Sequence, residues 1–142
     1  MRVLIIDDEP DVILLCRVNL EFEGHEVLEA ASGEEGLEIA EKELPDLIVL
    51  DLMLPRQDGF SVLRHLHSHE PTKHIPVVLL TAKSREDDQM RGWQTGADEY
   101  VTKPFSPVAL TEAVARVAGM TAEEREARRR ERLEQLSLLH RL

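Results

Sequence analysis

Asp7, Asp8 and Asp51 each stand where a short apolar run stops. Val3–Ile6 leads into Asp7-Asp8-Glu9, and Leu47–Leu50 leads into Asp51. Val77–Leu80 ends in Thr81, and the run to Val101 ends in Thr102-Lys103-Pro104. If these runs are strands lying side by side, three carboxylates, a hydroxyl and an ammonium share one rim. The carboxylates repel one another unless a cation joins them, and hard oxygen donors select Mg²⁺. A divalent ion and Lys103 then make the site neutral, which suits an incoming phosphoryl group. A carboxylate can attack phosphorus and form an aspartyl phosphate. Such a transfer asks chiefly for positioning and charge neutralisation. Asp51 is the candidate nucleophile, with Lys103 and Thr81 as donors to the phosphoryl oxygens.

The elements that must position these residues alternate between strand and helix. The uninterrupted Leu47-Ile48-Val49-Leu50 suggests a strand buried on both faces, as in a parallel sheet covered by helices. Strands are expected at Arg2–Asp7, His25–Ala30, Asp46–Asp51, Val77–Leu80 and Ala97–Val101. The second is the most polar and belongs near an edge. A first helix opens at Pro10, with Val12, Leu15, Cys16 and Leu20 as its stripe, and Gly24 ends it. Ser32 and Glu35 form a capping box for a second helix facing the core through Leu37, Ala40 and Leu44. Leu52–Gln57 reads as a loop. Asp58-Gly59 opens a third helix, with Val62, Leu63 and Leu66 inward. Ser84 caps a fourth, which carries Met90 and Trp93 and stops at Gly96. Ser106-Pro107 starts a fifth, with Leu110, Val114 and Val117 apolar. Repeated βα units imply an α/β, doubly wound parallel sheet with right-handed crossovers. Five strands fit the flavodoxin-like order 2-1-3-4-5, in which the most apolar runs are central.

Charge divides the chain. Residues 1–120 carry 23 acidic and 11 basic side chains, a net −12, whereas residues 121–142 carry 5 and 6, a net +1. A surface at −12 repels nucleic acid and anionic membrane, so no direct nucleic-acid binding is expected of residues 1–119. No apolar run approaches a membrane span. The amino terminus has no signal-peptide layout, which favours the cytoplasm. A single cysteine, Cys16, excludes an internal disulfide framework.

Asp7-Asp8-Glu9, Asp51-Leu52-Met53-Leu54-Pro55, Asp58-Gly59, Thr81-Ala82 and Gly96-Ala97-Asp98-Glu99-Tyr100-Val101-Thr102-Lys103-Pro104-Phe105 resemble the receiver domain of two-component response regulators, over roughly residues 1–119. The resemblance implies that Asp51 accepts phosphate from a sensor histidine kinase or phosphotransfer protein. It implies Mg²⁺ on Asp8, Asp51 and the backbone carbonyl of Met53, with Asp7 acting through water. Lys103 would contact the phosphoryl group, and Lys103–Pro104 would be cis. Thr81 and Tyr100 match the family's switch pair, which reshapes the face made by the fourth helix, fifth strand and fifth helix. Met53 and Lys83 occupy the positions that overhang the site and tune phosphate lifetime.

Three other readings compete. In the first, the receiver belongs to a DNA-binding transcription regulator that pairs through an acid on the fifth strand and an arginine on the fifth helix. Asp98 matches the acid, but Ala113 stands at the arginine position, with Arg116 one turn away. The second is a haloacid-dehalogenase-type phosphatase, which needs an Asp where Met53 stands. The third is a flavin carrier, which needs a Ser/Thr/Gly-rich loop where this chain has Asp7-Asp8-Glu9-Pro10. The expectation is a stand-alone receiver with an unidentified downstream protein partner, catalysing only its own phosphorylation and dephosphorylation.

Residues 120–142 are expected to form a separate helical extension. Thr121 and Glu124 make a capping box, and acids precede arginines as the helix dipole favours. Glu124–Arg128 and Glu126–Arg130 have i,i+4 spacing. Its charged middle offers little to bury, so it reads as a solvated extension or as a helix for a homodimer or partner. His65 and His69 share one helix face, where the choice lies between a transition-metal pair and a solvated surface.

Overall fold

The computed structural model describes residues 1–141. Five parallel strands form the main sheet: β1 (Arg2–Ile6), β2 (Glu26–Ala30), β3 (Leu47–Leu50), β6 (Val77–Thr81) and β7 (Glu99–Thr102). Their spatial order is β2-β1-β3-β6-β7, the expected doubly wound order. The remaining two strands, β4 (Met53–Leu54) and β5 (Gln57–Asp58), form a small antiparallel hairpin that occupies the segment read from sequence as a loop and runs on to Asp58, the N-cap of the third helix. Its turn places Arg56 at φ 65°.

Alternation along the strands builds two cores. Val3, Ile5, Leu47, Val49, Val78 and Leu80 pack with Cys16 and Leu20 of helix α1 (Pro10–Phe22) and with Leu110, Val114 and Val117 of α5 (Pro107–Ala118). Leu4, Ile6, Ile48, Leu50, Val77 and Leu79 point to the other face, against α2 (Gly33–Glu43) and α3 (Gly59–Ser68). Trp93 of α4 (Glu86–Thr95) is buried too. Burial on both faces explains why β1, β3 and β6 are unbroken apolar runs. Cys16 is a core residue, and burial pushes its thiol up to about 12, so it is chemically inert.

Several local expectations change. Leu15 of α1 is exposed, because Cys16 and Leu20 carry the core face and Val12 and Ile13 pack at its margin. Leu44 is 52% exposed: the chain enters the left-handed region there, at φ 45°, ahead of Pro45, and swings the side chain out of the helix stripe. Ser84 does not cap α4, whose N-cap is Arg85 without a side-chain bond. The other caps hold: Ser32 Oγ accepts from Glu35 N, Asp58 Oδ1 from Phe60 N, and Ser106 Oγ from Ala109 N.

The largest revision concerns the carboxyl-terminal helix, α6 (Ala122–Arg141). Its capping box forms as expected, with Thr121 Oγ1 accepting from Glu124 N and Glu124 Oε1 from Thr121 N. The helix is not a solvated extension, however: it lies against α4 and the start of β7. Leu136 is 3% exposed. Arg129 bonds the Asp98 carboxylate, and Arg128 donates to Glu99 Oε2 at 2.7 Å and to the Asp98 carbonyl at 2.9 Å. The Arg128 guanidinium lies 5.6 Å from the Trp93 ring centroid. The charged middle buries little apolar surface, yet it satisfies acids on the receiver face. Among the described residues, no helix is long and apolar enough to cross a membrane.

Candidate functional site

The carboxyl ends of β1, β3, β6 and β7 meet as the topology requires. β1 and β3 are adjacent, with Ile6 opposite Leu50, so the residues that follow them, Asp7 and Asp51, reach the rim together. Both are buried, at 1% and 2% exposure. Asp7 N donates to Ala30 O and Asp51 N to Ile6 O, which extends the ladder into the site and fixes both backbones. On the other side, β6 pairs with β7 through Thr81 opposite Thr102, and Lys103 N donates to Thr81 O. Lys103–Pro104 is cis.

Lys103 Nζ lies 2.9 Å from Asp7 Oδ2, 3.2 Å from Asp51 Oδ2 and 3.1 Å from Glu9 Oε1. Burial alone would lower the pKa of this ammonium. Bonds to Asp7 and Glu9 and the charge of Asp51 overcome that and raise it above the ordinary lysine range. Burial raises the Asp7 carboxyl, opposed by the Glu9 N–H and by Lys103. A single ammonium thus serves two buried carboxylates, which leaves the pocket short of positive charge.

Carboxylate oxygens of Asp7, Asp8, Glu9 and Asp51 lie within 4.8 Å of one another. Their all-oxygen chemistry and surplus negative charge fit a hard divalent cation. Glu9 is the residue that the sequence reading left out of the site. Its adjacency to Asp7-Asp8 was the available signal, but only the fold shows it bonded to Lys103.

The neighbouring backbone is shaped for this pocket. Met53 N donates to Asp51 Oδ1 at 2.9 Å, which turns the chain back toward the carboxylate. Gly59 is required: a Cβ there would sit 2.3 Å from Leu52 Cα and 2.7 Å from Asp51 O. Thr81 is fully buried, and its Oγ1 accepts from Lys83 N at 3.3 Å. The Met53 side chain is 54% exposed beside the site. Lys83 Nζ lies 4.0 Å from Asp88. The Tyr100 hydroxyl donates to the Lys83 carbonyl at 2.6 Å, and its ring approaches Gly92 of α4. Tyr100 therefore links the rim of the site to α4.

A model of the response regulator receiver domain matches residues 3–115. The chain belongs to that family. Relatives of the receiver include the alkaline phosphatase synthesis transcriptional regulatory protein PhoP of Bacillus subtilis, 47% identical over 106 residues, covering 75% of this chain and 43% of that protein. The DNA-binding dual master transcriptional regulator RpaA of Synechocystis is 45% identical, covering 84% of this chain and 48% of that protein. The chain spans about half the length of the regulators it matches. Among solved structures, the chemotaxis response regulator CheY4 of Vibrio cholerae superposes with a TM-score of 0.77 at 30% identity, covering 82% of this chain and 97% of that one. A CheY-like receiver domain protein from Methanospirillum hungatei gives 0.77 at 31%, covering 89% and 97%.

The receiver's α4–β7–α5 face differs from the sequence expectation at the residues weighed for dimer pairing. Asp98 is 3% exposed and engaged within the chain, accepting from Val77 N at 2.9 Å and pairing with Arg125 and Arg129 of α6. Ala113 is on the buried face of α5, in the core. Arg116 pairs with Glu99 at 2.6 Å. The acids that would meet a second copy are occupied by the chain's own arginines.

Proposed function

We propose that this receiver accepts a phosphoryl group on Asp51 from a histidine kinase or phosphotransfer protein and passes the change to its α4–β7–α5 face. The observation that carries the reading is Lys103 held between buried Asp7 and Asp51. This is an anionic pocket with a nucleophile and a fixed ammonium already in place. In the transfer, an Asp51 carboxylate oxygen forms the new bond to phosphorus. The bond from phosphorus to the donor breaks, and the donor keeps its electron pair. Lys103 and the Thr81 hydroxyl neutralise phosphoryl oxygens as charge develops on them. Asp7, Asp8, Asp51 and the Met53 carbonyl are the groups that would hold Mg²⁺. When bound, it supplies the remaining positive charge for those oxygens.

Engaging Thr81 with the phosphoryl group takes its hydroxyl from Lys83 N, beside the carbonyl that holds Tyr100. Tyr100, Trp93 and Glu99 border the cleft where α6 sits, so α6 is the first element to feel the change. The protein turns over no substrate other than its own phosphoryl group. Met53 stands where an Asp-nucleophile phosphatase would need a general acid.

A second reading places this receiver within a DNA-binding transcription regulator. What favours it is that relatives named as transcriptional regulators, one of them as DNA-binding, are about twice as long as the stretch they share with this chain. The genomic reading frame around these 142 residues decides between that arrangement and a stand-alone relay. For the central reading, acetyl phosphate with Mg²⁺ adds one phosphate by intact mass to the wild type and none to Asp51→Asn. Equal incorporation in both proteins rejects Asp51.

A further inference from the structure

On the flank of the domain, away from the acidic rim, α2 and α3 bring Glu41, His65 and His69 together. One ligand atom from each lies within 4.8 Å of the other two. We propose that these three residues form a binding site for a borderline transition-metal ion, with Zn²⁺ the ordinary occupant. The site differs in class from the oxygen pocket around Asp51, because two imidazoles and a carboxylate suit zinc, copper or nickel rather than Mg²⁺.

Three features of the geometry support this. Glu41 Oε1 and His65 Nε2 are 3.3 Å apart, the separation of two ligands sharing a tetrahedral ion with bonds of about 2.0 Å. The rings of His65 and His69 stand face to face, 3.8 Å between centroids and 15° from parallel, so both imidazoles already share one patch of surface, and one ring has to tilt before both in-plane lone pairs reach a common ion. His69 Nδ1 lies 3.0 Å from the carbonyl oxygen of His65. A carbonyl can only accept, so Nδ1 carries the proton and Nε2 keeps its lone pair for a metal. Such a bond from the far ring nitrogen to a backbone carbonyl is how metal-binding histidines are commonly oriented.

Without metal, His65 Nε2–H donates to Glu41. Metal binding replaces that proton, which passes through solvent to Nδ1, so the imidazole stays neutral and both groups turn their lone pairs to the ion. Glu41 and His65 also line a cleft of about 830 Å³ between α2 and the β4–β5 turn. The remaining coordination positions therefore open toward water or a small anion. A bound ion would tie α2 to α3 across the side of the domain.

The test uses the full 142-residue chain, stripped of metal and kept in excess Mg²⁺ so that the acidic pocket does not capture zinc. Calorimetric titration with ZnCl₂ should give one site per chain in the micromolar range and a rise in Tm. His65→Ala and His69→Ala should each abolish both effects. Glu41→Gln should weaken binding by about tenfold or more, and His74→Ala, an exposed histidine outside the cluster, should bind as the wild type does. His65 and His69 lie at the surface, so unchanged metal-free melting shows that the variants are folded. The proposal is overturned if the wild type takes up no zinc below millimolar concentration. Undiminished binding in His65→Ala or His69→Ala overturns it equally.

Discussion

Reversing the charge of Arg128 and Arg129 together, as Arg128→Glu with Arg129→Glu, should release α6 from the receiver. Arg129 bonds Asp98, whose side chain is 2% exposed, and Arg128 bonds Glu99 at 2.7 Å. With an effective dielectric of about 20, charges roughly 4 Å apart interact by about 4 kcal/mol. Reversal turns each attraction into a repulsion of similar size. Against that swing the docked helix has little to offer. Burying Leu136 contributes about 1.5–3 kcal/mol, Arg128 over Trp93 about 0.5–1, and each partly exposed ion pair up to about 1. Holding the helix in place costs entropy in turn. The loss is capped by the docking free energy, because a helix that has left loses nothing more. The receiver cores contain no residue of α6, so Tm should fall by only a few degrees. Trp93 is the single tryptophan and is 3% exposed. Its emission should move to longer wavelength, its quenching by acrylamide should increase, and amide exchange along α6 should accelerate. An unshifted emission spectrum with α6 still protected would refute the claim that these arginines seat the helix.

Millimolar Mg²⁺ should stabilise the wild type. At ten times its Kd it adds about 1.4 kcal/mol, a few degrees in Tm, and Asp8→Ala should remove the gain; a wild-type melt indifferent to Mg²⁺ would contradict the cation assignment. Met53 is apolar, half exposed and beside Asp51, so it should shield the aspartyl phosphate, and Met53→Asn should shorten its lifetime by positioning water. Decay followed by intact mass after removing the phosphodonor checks this, and an equal or longer lifetime in the variant counts against shielding. Burial holds His67 below the ordinary imidazole range; Asp98 opposes the shift, and Arg129 and Arg125 reinforce it. The unfolded chain therefore takes up a proton near pH 6.5 that the folded chain refuses, and stability drains away as the pH falls through and below that value. His67→Gln should lessen the fall in Tm between about pH 7 and 5, and identical slopes would dismiss the role of His67.

Much of the site could be read along the chain because its determinants are local. Each strand that feeds the rim is an apolar run ending in a polar residue, so Asp7, Asp51, Thr81 and Lys103 could be placed before any contact was known. The strand order followed from repeated βα units, since parallel neighbours need crossovers and crossovers have one hand. The places where local reading failed are also informative. A helical stripe predicts which residues share a face, but not how far the neighbouring layer extends over it. Leu15 and Leu44 fit their stripes and still lie in water.

Charge pairing is where sequence spacing misled most. The i,i+4 rule assigns Arg128 to Glu124, yet Glu124 is spent on the Thr121 cap and Arg128 reaches Glu99, 29 residues earlier. Glu126–Arg130, the companion pair, does form, at 3.5 Å on the exposed side of the helix. Ion pairs have no sequence period of their own. A charged side chain takes whichever opposite charge the packing brings near, and a partly buried partner such as Glu99 outcompetes a solvated one because water screens it less. The Thr121–Glu124 capping box and the order of acids before arginines pointed to an arginine-rich helix after Gly119, which the fold shows as Ala122–Arg141. Whether that helix stands in solvent or lies across α4 depended on Asp98 and Glu99 standing at the start of β7 beside Trp93, a juxtaposition made only when the sheet closes.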